Sequence, residues 1–167
     1  MEIRVAVLTV SDRCSAGVAI DASGPAICEL VSNSTRISAK LVADSPQCVA
    51  DERHQIAAKL RRLIEISDVI VTTGGTGFAK RDVTPEATLE VIDRRCSGLE
   101  TAIHTRSLQA TPMAALSRSI AGIAGNTLIV NFPGSLKAVK ECWEVVEPVL
   151  NHAVGLLRET DEGKHHN

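Results

Sequence analysis

The residues best suited to chemistry follow one another in a short glycine-rich segment, Thr-Gly-Gly-Thr-Gly at positions 73–77. Glycines let the backbone approach a ligand closely, and successive backbone N–H groups turned outward form a nest for phosphate oxygens. The segment is not a Walker A loop, because no Gly-Lys-Ser/Thr follows at the required spacing, and Lys80 stands where a G-x-G-x-x-G motif needs glycine. A simple strand-to-helix turn would also use Gly-Gly. Four neighbours favour a phosphate site by supplying a hydroxyl, two cations and a carboxylate: Thr76, Lys80, Arg81 and Asp82.

Two carboxylates, Asp51 and Asp82, are the candidates for a metal site beside this segment. Each also has a purely structural explanation, because Asp51 stands where it could cap a helix and Asp82 could belong to a turn ahead of the next helix. If both reach one cleft, they form an acidic pair next to the phosphate nest. Mg²⁺ binds in such settings through one or two carboxylates and substrate phosphates, so the combination predicts phosphoryl or nucleotidyl transfer.

Most of the candidate residues follow predicted strands. The glycine segment follows a strand at 68–73, and two further apolar, β-branched stretches at 3–10 and 127–132 end in polar loops. Ligand sites of doubly wound sheets lie beyond the carboxyl ends of the strands, so we expect these loops to converge. They deliver Ser11, Asp12 and Ser15 after the first strand and Asn131, Pro133, Gly134 and Ser135 at the end of the last.

Strand-like and helix-like stretches alternate along the chain. A further strand at 36–43 alternates apolar and polar residues, as edge strands do. The helix capped by Thr84 is expected to end near Cys96, and Pro148 is expected to bend or divide the last helix. The order of the elements predicts an α/β fold with three layers (α/β/α) around a mainly parallel sheet. Helices are predicted to begin near Ser23, Asp51, Thr84, Leu99 and Leu136.

Length and charge narrow the class of protein. No linker or repeat interrupts the chain, so one domain is expected over 1–158, followed by a polar, disordered tail over 159–167. The net charge of -2 lacks the basic excess that nonspecific nucleic-acid binding requires. No apolar stretch reaches the roughly 18–20 residues that span a bilayer, and the first residues lack a signal-peptide pattern, so we expect a cytoplasmic protein without a membrane anchor. The five cysteines contain no C-x-x-C pair and are interpreted as reduced thiols rather than as a metal site.

Aromatic residues make up 2% of the chain, with no Tyr, two Phe and one Trp. The core must therefore be built from Val, Ile, Leu and Ala, which suits a parallel sheet under helices. A site with almost no aromatic side chains cannot hold a ring by stacking, so we expect recognition by loop backbone groups, hydroxyls and a metal. Phe78 and Phe132 both fall next to the predicted site, although each is also explained as a packing residue.

Residues 72–88, which read TTGGTGFAKRDVTPEAT, resemble the signature of the molybdenum-cofactor family that includes MogA, MoaB and the G domains of gephyrin and its plant counterpart. The resemblance covers nearly the whole chain up to about Arg158. It implies the MogA/MoaB-like molybdopterin-binding fold. Shorter matching stretches lie at 8–12, 15–17, 23–25, 51–52, 116–118 and 131–134.

The resemblance implies a specific activity, the adenylylation of molybdopterin. ATP and molybdopterin would give adenylyl-molybdopterin and pyrophosphate with Mg²⁺, and Asp51 and Asp82 would be the catalytic pair that holds the metal. The substrate-binding residues would be a phosphate cradle of Gly74, Gly75, Thr76 and Gly77, the pocket residues Ser107, Ser117 and Asn131, and Ser11, Ser15, Pro133 and Gly134 at the strand ends. The three pocket residues are equally explained as a helix-surface serine, a helix-end serine and a strand-end turn.

The family divides into MogA-like proteins, which are trimeric and adenylylate molybdopterin, and MoaB-like proteins, often hexameric, some of which lack the activity. The loop at 11–25 resembles the MogA group, so we expect a homotrimeric nucleotidyltransferase whose product passes to a molybdenum-insertion protein. One departure is Ala50, where the family often has Pro, which leaves the loop that carries Asp51 less preorganised. The alternatives are a MoaB-like protein that binds molybdopterin without catalysis and, third, a scaffolding protein.

Overall fold

A seven-stranded sheet forms the centre of the computed structural model, which describes residues 1–42 and 44–159. β1, β4 and β7 pair in parallel in the middle of the sheet, β2 and β3 pair in parallel with β1, and β6 and β5 continue beyond β7 as antiparallel strands. The prediction of a mainly parallel sheet is therefore confirmed. The strands are β1 (Glu2–Val10), β2 (Ser38–Leu41), β3 (Gln47–Val49), β4 (Val69–Thr73), β5 (Arg94–Arg95), β6 (Ala121–Ala124) and β7 (Thr127–Phe132).

Helices cover both faces of the sheet. They are α1 (Asp12–Ser15), α2 (Ser23–Ser32), α3 (Arg53–Ile64), α4 (Thr84–Val91), α5 (Ser97–Ala110) and α6 (Leu136–Arg158), with a 3-10 helix at Pro112–Leu116. Successive side chains of a strand point to opposite faces, so Val5 and Val7 of β1 pack in the core with α2, α5 and α6, whereas Ala6 and Leu8 pack with α3 and α4. The three-layer prediction is confirmed.

The edge of the sheet beside β1 differs from the prediction of one strand at 36–43. β2 is shorter than expected and lies beside Glu2–Val5, and β3, which was not predicted, lies beside Leu8–Val10 of the same strand. Three residues are too few to show a periodic pattern, so the pairing with β1 determines β3. This strand matters for the site, because its end leads through Ala50 to Asp51.

The opposite edge shows a second difference. α4 ends at Val91 rather than near Cys96, because the following residues leave the helix to pair with β6. The backbone N–H groups of Asp93 and Cys96 donate to carbonyls of β6 at 2.7 and 2.8 Å. The competing tertiary hydrogen bonds therefore outweigh the local helical pattern.

α6 is one continuous helix of 23 residues, so the prediction that Pro148 divides it is wrong. Proline removes the hydrogen bond to the carbonyl four residues earlier, at Glu144. Both residues are exposed, so water can take the place of the missing donor. The tail predicted over 159–167 lies, apart from Glu159, outside the described residues. Within the described residues, no helix combines the length and the apolar character needed to cross a membrane.

Candidate active site

The glycine segment forms a tight loop at the carboxyl end of β4. Gly74 and Gly75 have φ values of 98° and 68°, in the left-handed region that favours glycine. A Cβ atom at Gly74 would lie 2.3 Å from the carbonyl oxygen of Val10, and one at Gly75 would lie 2.4 Å from Oγ1 of Thr84. Both the backbone conformation and the available space therefore require glycine, and the loop packs directly against the ends of β1 and α4.

Thr84 holds the first part of this loop. Its hydroxyl donates to the carbonyl of Gly74 at 2.9 Å, and its backbone N–H donates to the carbonyl of Gly75 at 3.1 Å. The prediction that Thr84 caps α4 is wrong, because the helix begins at this residue and Val83 occupies the capping position. The hydroxyl of Thr84 serves the loop instead of the helix terminus.

Arg118 holds the second part of the loop. Its backbone N–H donates to the carbonyl of Thr76 at 2.7 Å, and its guanidinium donates to the carbonyls of Gly77 and Asp82 at 2.8 and 2.7 Å. The same guanidinium pairs with both carboxylate oxygens of Glu86 at 2.8 Å. Arg118 thus ties three carbonyls of the loop to α4. In the sequence Arg118 stands out only through the resemblance, since no local pattern shows which carbonyls an arginine will bind.

The carboxylate of Asp82 closes the loop on itself. Its Oδ2 atom accepts hydrogen bonds from the backbone N–H groups of Gly77 and Ala79 at 3.1 and 3.2 Å. Asp82 therefore stabilises a turn, as its position in the sequence allowed. Its carboxylate occupies the N–H group of Gly77, which is then not available to a ligand. The N–H groups of Gly75 and Thr76 and the second oxygen of Asp82 have no hydrogen-bond partner among the described residues.

Asp51 reaches the same loop from the end of β3. Its Oδ2 atom accepts from the N–H of Asp12 at 2.8 Å, and Oδ1 of Asp12 accepts from the N–H of Asp51 at 2.9 Å. The reciprocal pair fixes the position of Asp51 although Ala50 replaces the proline of the family. Its other oxygen, Oδ1, lies 3.0 Å from the Cβ position of Gly75, so the carboxylate lies against the loop. The alternative that Asp51 caps a helix is wrong, because Glu52 precedes α3 at the capping position.

The two predicted acidic residues interact electrostatically. Burial raises the pKa of Asp51, and the carboxylates of Asp12 and Asp82 raise it further. The hydrogen bond from the Asp12 N–H and the charge of Arg81 oppose these effects without cancelling them. A positive charge bound between Asp51 and Asp82 would therefore be stabilised.

The two cations that favoured a phosphate site in the sequence differ in their surroundings. Arg81 donates to both carboxylate oxygens of Asp12 at 3.0 Å and pairs with Glu52 at 2.8 Å. Its guanidinium therefore links α1 to the residue that precedes α3. These ion pairs are exposed and weak, so a contribution of Arg81 to a phosphate site stays a prediction. Lys80 is exposed and has no ion-pair partner in the described part of the chain.

The donor set fits a metal ion that a substrate completes. No group of three or more His, Cys, Asp or Glu side chains could hold a metal ion among the residues at 1–42 and 44–159. Asp51 and Asp82 each keep one oxygen without a hydrogen-bond donor in those residues. Mg²⁺ is commonly bound by one or two carboxylates together with substrate phosphates, so these two residues fit Mg²⁺ in the presence of a nucleotide.

A cavity of about 380 Å³ opens beside the loop, between the loop, α5, the 3-10 helix and the start of α6. Glycines, small side chains and the apolar side chains of Met113 and Leu116 make up most of its lining, which contains no aromatic residue. Nine predicted site residues line it: Gly74, Gly75, Thr76, Gly77, Asp82, Ser107, Ser117, Pro133 and Gly134.

A second cavity of about 320 Å³ lies at the carboxyl end of β1. Ser11 and Asp21 line it, together with Gly74 and Gly134, which also line the first cavity. A Cβ atom at Gly134 would lie 3.4 Å from the Cα atom of Gly74, so the two glycines touch. They form a thin partition between the two cavities.

Three predicted residues, Asp51, Ser15 and Asn131, do not line either cavity. Ser15 is exposed at the end of α1. Asn131 is fully buried, and its carboxamide accepts from the N–H of Ile120 at 3.2 Å and donates to the hydroxyls of Thr72 and Thr88 at 3.0 and 3.1 Å. All of its polar atoms are used to join β7 to β4 and α4, so Asn131 acts within the core in this structure.

One residue that sequence analysis missed, Glu141, lines the larger cavity from α6. In the sequence it stands four residues after Lys137, a spacing that is typical of exposed ion pairs on a helix. The structure instead buries nine-tenths of its side chain. Only the packing of α6 against α5 could have revealed this position.

The fold and the site define a class of protein, an α/β protein with a glycine loop and two carboxylates at the carboxyl ends of its parallel strands. Residues 6–152 match the family model described as a probable molybdopterin binding domain. The chain belongs to this family.

Relatives and solved structures agree with this assignment. The chain is 45% identical to the molybdenum cofactor synthesis protein cinnamon of Drosophila melanogaster, over 93% of this chain and 26% of that protein, so it spans about a quarter of that relative's length. It is 41% identical to the molybdopterin adenylyltransferase of Helicobacter pylori, over 93% of this chain and 88% of the relative.

Among solved structures, MogA superposes with a TM-score of 0.84 at 36% identity, over 92% of this chain and 99% of that one. MoaB of Thermus thermophilus superposes with a TM-score of 0.81 at 42% identity, over 95% and 98% of the two chains.

Proposed function

We propose that the protein is a molybdopterin adenylyltransferase, which transfers AMP from ATP to the terminal phosphate of molybdopterin. The observation that carries this proposal is the pair of cavities that meet at Gly74 and Gly134. Asp82 lines the larger cavity, and Asp51 lies against Gly75 of the same loop. A reaction that joins two substrates through a phosphate needs two binding sites that meet at an anion-binding group. The Helicobacter pylori relative of that name, which this chain covers over 88% of its length, supports the same conclusion.

The reaction requires little covalent chemistry from the protein. An oxygen of the terminal phosphate of molybdopterin forms a bond to the α-phosphorus of ATP, the bond from that phosphorus to the β-phosphate bridge breaks, and pyrophosphate leaves with the bonding electrons. Catalysis then depends on the positions of the two phosphates and on neutralisation of their charge. The free N–H groups of Gly75 and Thr76 would donate to phosphate oxygens at the junction of the cavities.

Asp51 and Asp82 would hold Mg²⁺ through the oxygens that have no hydrogen-bond donor. When bound, the metal neutralises phosphate charge near the reacting phosphorus. Arg118 acts as a positioning residue, because its hydrogen bonds to loop carbonyls keep the free N–H groups and Asp82 in place. The reciprocal hydrogen bonds between Asp12 and Asp51 position the second carboxylate in the same way.

The proposal predicts pyrophosphate release that depends on both ATP and molybdopterin. Asp82→Asn keeps an oxygen that can accept from Gly77 and Ala79 but loses the charge, so we expect the fold to persist and turnover to fall by about 10²-fold or more. The measurement is pyrophosphate release by the purified proteins with ATP, Mg²⁺ and molybdopterin. Wild-type turnover in Asp82→Asn would show that this carboxylate has no catalytic part.

The resemblance to the MoaB-like group leaves one alternative, a protein that binds molybdopterin without catalysis. This protein would bind molybdopterin tightly and release no pyrophosphate with any nucleotide. The same assay, combined with a molybdopterin binding measurement, separates the two functions.

We further propose that the protein acts as a homotrimer in the cytoplasm and delivers its product to a molybdenum-insertion protein, with residues 1–158 as one folding unit. The surface that fits subunit association is an apolar groove of about 650 Å³ between β6, α5 and α6. Val149 and Leu156 on its wall are 44% and 48% exposed. Apolar side chains that remain exposed along a groove are typical of interaction surfaces.

A further inference from the structure

Glu141 is a buried carboxylate that neither the fold nor the proposed metal site requires. It lies in the second turn of α6, its residue is 7% exposed, and it lines the 380 Å³ cavity opposite the glycine loop. No hydrogen bond to its oxygens exists among the described residues. Its one ion-pair partner among the described residues, Nζ of Lys137, lies 4.0 Å away on a side chain that is 81% exposed.

Such an arrangement leaves the carboxylate available to a ligand in the cavity. An exposed lysine at 4.0 Å replaces little of the hydrogen bonding that a carboxylate with so little exposure lacks. The hydroxyl of Ser107 lines the same wall, and its one side-chain hydrogen-bond contact in the described part of the chain is with Sγ of Cys142 at 3.8 Å. The wall therefore presents a carboxylate and a hydroxyl to the cavity with almost all of their hydrogen-bonding capacity unused.

We infer that Glu141 binds the 2-amino-4-oxopyrimidine edge of the pterin ring and is the residue that selects the pterin. That edge carries two parallel donors, the ring N3–H and the 2-amino group, and a carboxylate accepts two parallel donors with the same geometry that it offers to arginine. The inference rests on the proposed function, which supplies a pterin as substrate.

The rest of the cavity fits a flat ring recognised at its edge. No aromatic side chain lines the cavity, so stacking cannot supply the specificity, whereas Met113 and Leu116 offer apolar contacts to the faces of a ring. With the pterin edge at Glu141, the phosphate of the substrate lies toward the glycine loop. The nucleotide then occupies the 320 Å³ cavity on the other side of Gly74 and Gly134.

The test compares two rings that differ only at this edge, 6-hydroxymethylpterin and 6-hydroxymethyllumazine, in which oxygen replaces the 2-amino group. We expect the wild-type protein to bind the pterin about tenfold or more tightly, because the lumazine turns an acceptor toward the carboxylate. Glu141→Gln presents one acceptor and one donor, which matches the lumazine, so the preference should disappear or reverse. Ligand fluorescence or calorimetry measures both dissociation constants.

Glu144→Gln is the matched control, because Glu144 lies on the same helix, pairs with Arg106 and does not line this cavity. Its ring preference should equal that of the wild type.

An unchanged ring preference in Glu141→Gln overturns the inference, even where pyrophosphate release from ATP and molybdopterin upholds the proposed function. Guanosine monophosphate carries the same donor edge, and tighter binding of this nucleotide than of the pterin also overturns it. If the wild-type protein binds neither ring, the inference fails, and the pyrophosphate assay decides whether the proposed function fails with it.

Discussion

The carboxylate of Asp51 lies against Gly75 in surroundings that disfavour its charge, because burial and the neighbouring carboxylates raise its pKa. The folded protein therefore binds a proton at Asp51 more tightly than the unfolded chain does, in which the pKa of Asp is about 3.9. The resulting stabilisation is present below that pH and is lost as the pH rises through the folded pKa. At neutral pH the ionised Asp51 thus decreases the stability of the fold, while its charge serves the proposed metal site.

Asp51→Asn is expected to separate these two effects. The amide oxygen can still accept from the N–H of Asp12, but the charge that burial disfavours is gone, so the Tm at pH 7 should rise. Below pH 3 the difference should vanish, and pyrophosphate release should be lost at all pH values. Thermal unfolding from pH 3 to 8 measures the effect, with Asp93→Asn as the control at an exposed aspartate. A Tm difference that does not change with pH would contradict the prediction.

The contrast between Asn131 and Glu141 shows which site residues a sequence can predict. Asn131 ends a strand beside the glycine loop and has the right type for a ligand contact, but the structure uses its whole carboxamide inside the core. Glu141 has the spacing of an exposed helical residue but faces a cavity. In both cases the direction of the side chain depends on how elements pack, which residue type and spacing do not show.

At the scale of elements, the glycine loop depends on the segment that follows the 3-10 helix. Arg118 reaches the loop from there and binds the carbonyls of Thr76, Gly77 and Asp82. Because the loop is held from outside β4 and α4, the position of its N–H groups depends on a contact between segments more than 30 residues apart.

Arg118→Lys tests this dependence. A lysine cannot bind several carbonyls and Glu86 in the same planar arrangement, so we expect the free energy of unfolding to fall by about 2 kcal/mol. Misplacement of the loop should lower kcat by about 10²-fold. Faster hydrogen exchange of the amides at 76–82 would distinguish loop disorder from general destabilisation. The control is Arg106→Lys, whose guanidinium pairs with Glu144 on the surface. Normal turnover in Arg118→Lys would rule out the positioning role.

The elements that the sequence predicts well are the central ones. β1, β4 and β7 are long, apolar and buried on both faces, so composition alone indicates them. β3, β5 and β6 have two to four residues each and exist through their pairing with neighbouring strands. Their positions could not be predicted, and β3 is the strand that positions Asp51.

At the scale of the whole molecule, the proposed trimer can be tested at the apolar groove between β6, α5 and α6. Leu156→Glu places a charge on an exposed wall residue of the groove, which should prevent association. Light scattering after gel filtration should then give the 17.7 kDa of one chain instead of three times that mass. Leu108→Glu is the matched control, since Leu108 is equally exposed, at 49%, but does not line the groove. A mass that stays trimeric in Leu156→Glu would place the subunit contact elsewhere.

The partition formed by Gly74 and Gly134 has a consequence for how a reaction cycle ends. In the proposed reaction two substrates enter separate cavities, but their adenylylated product is a single molecule with one half in each. The halves of such a product behave as linked ligands, so release of one half leaves it tethered at high effective concentration by the other. The proposed enzyme should therefore bind its product more tightly than either substrate. Release of the product, rather than the transfer of AMP, would then be the rate-limiting step of turnover.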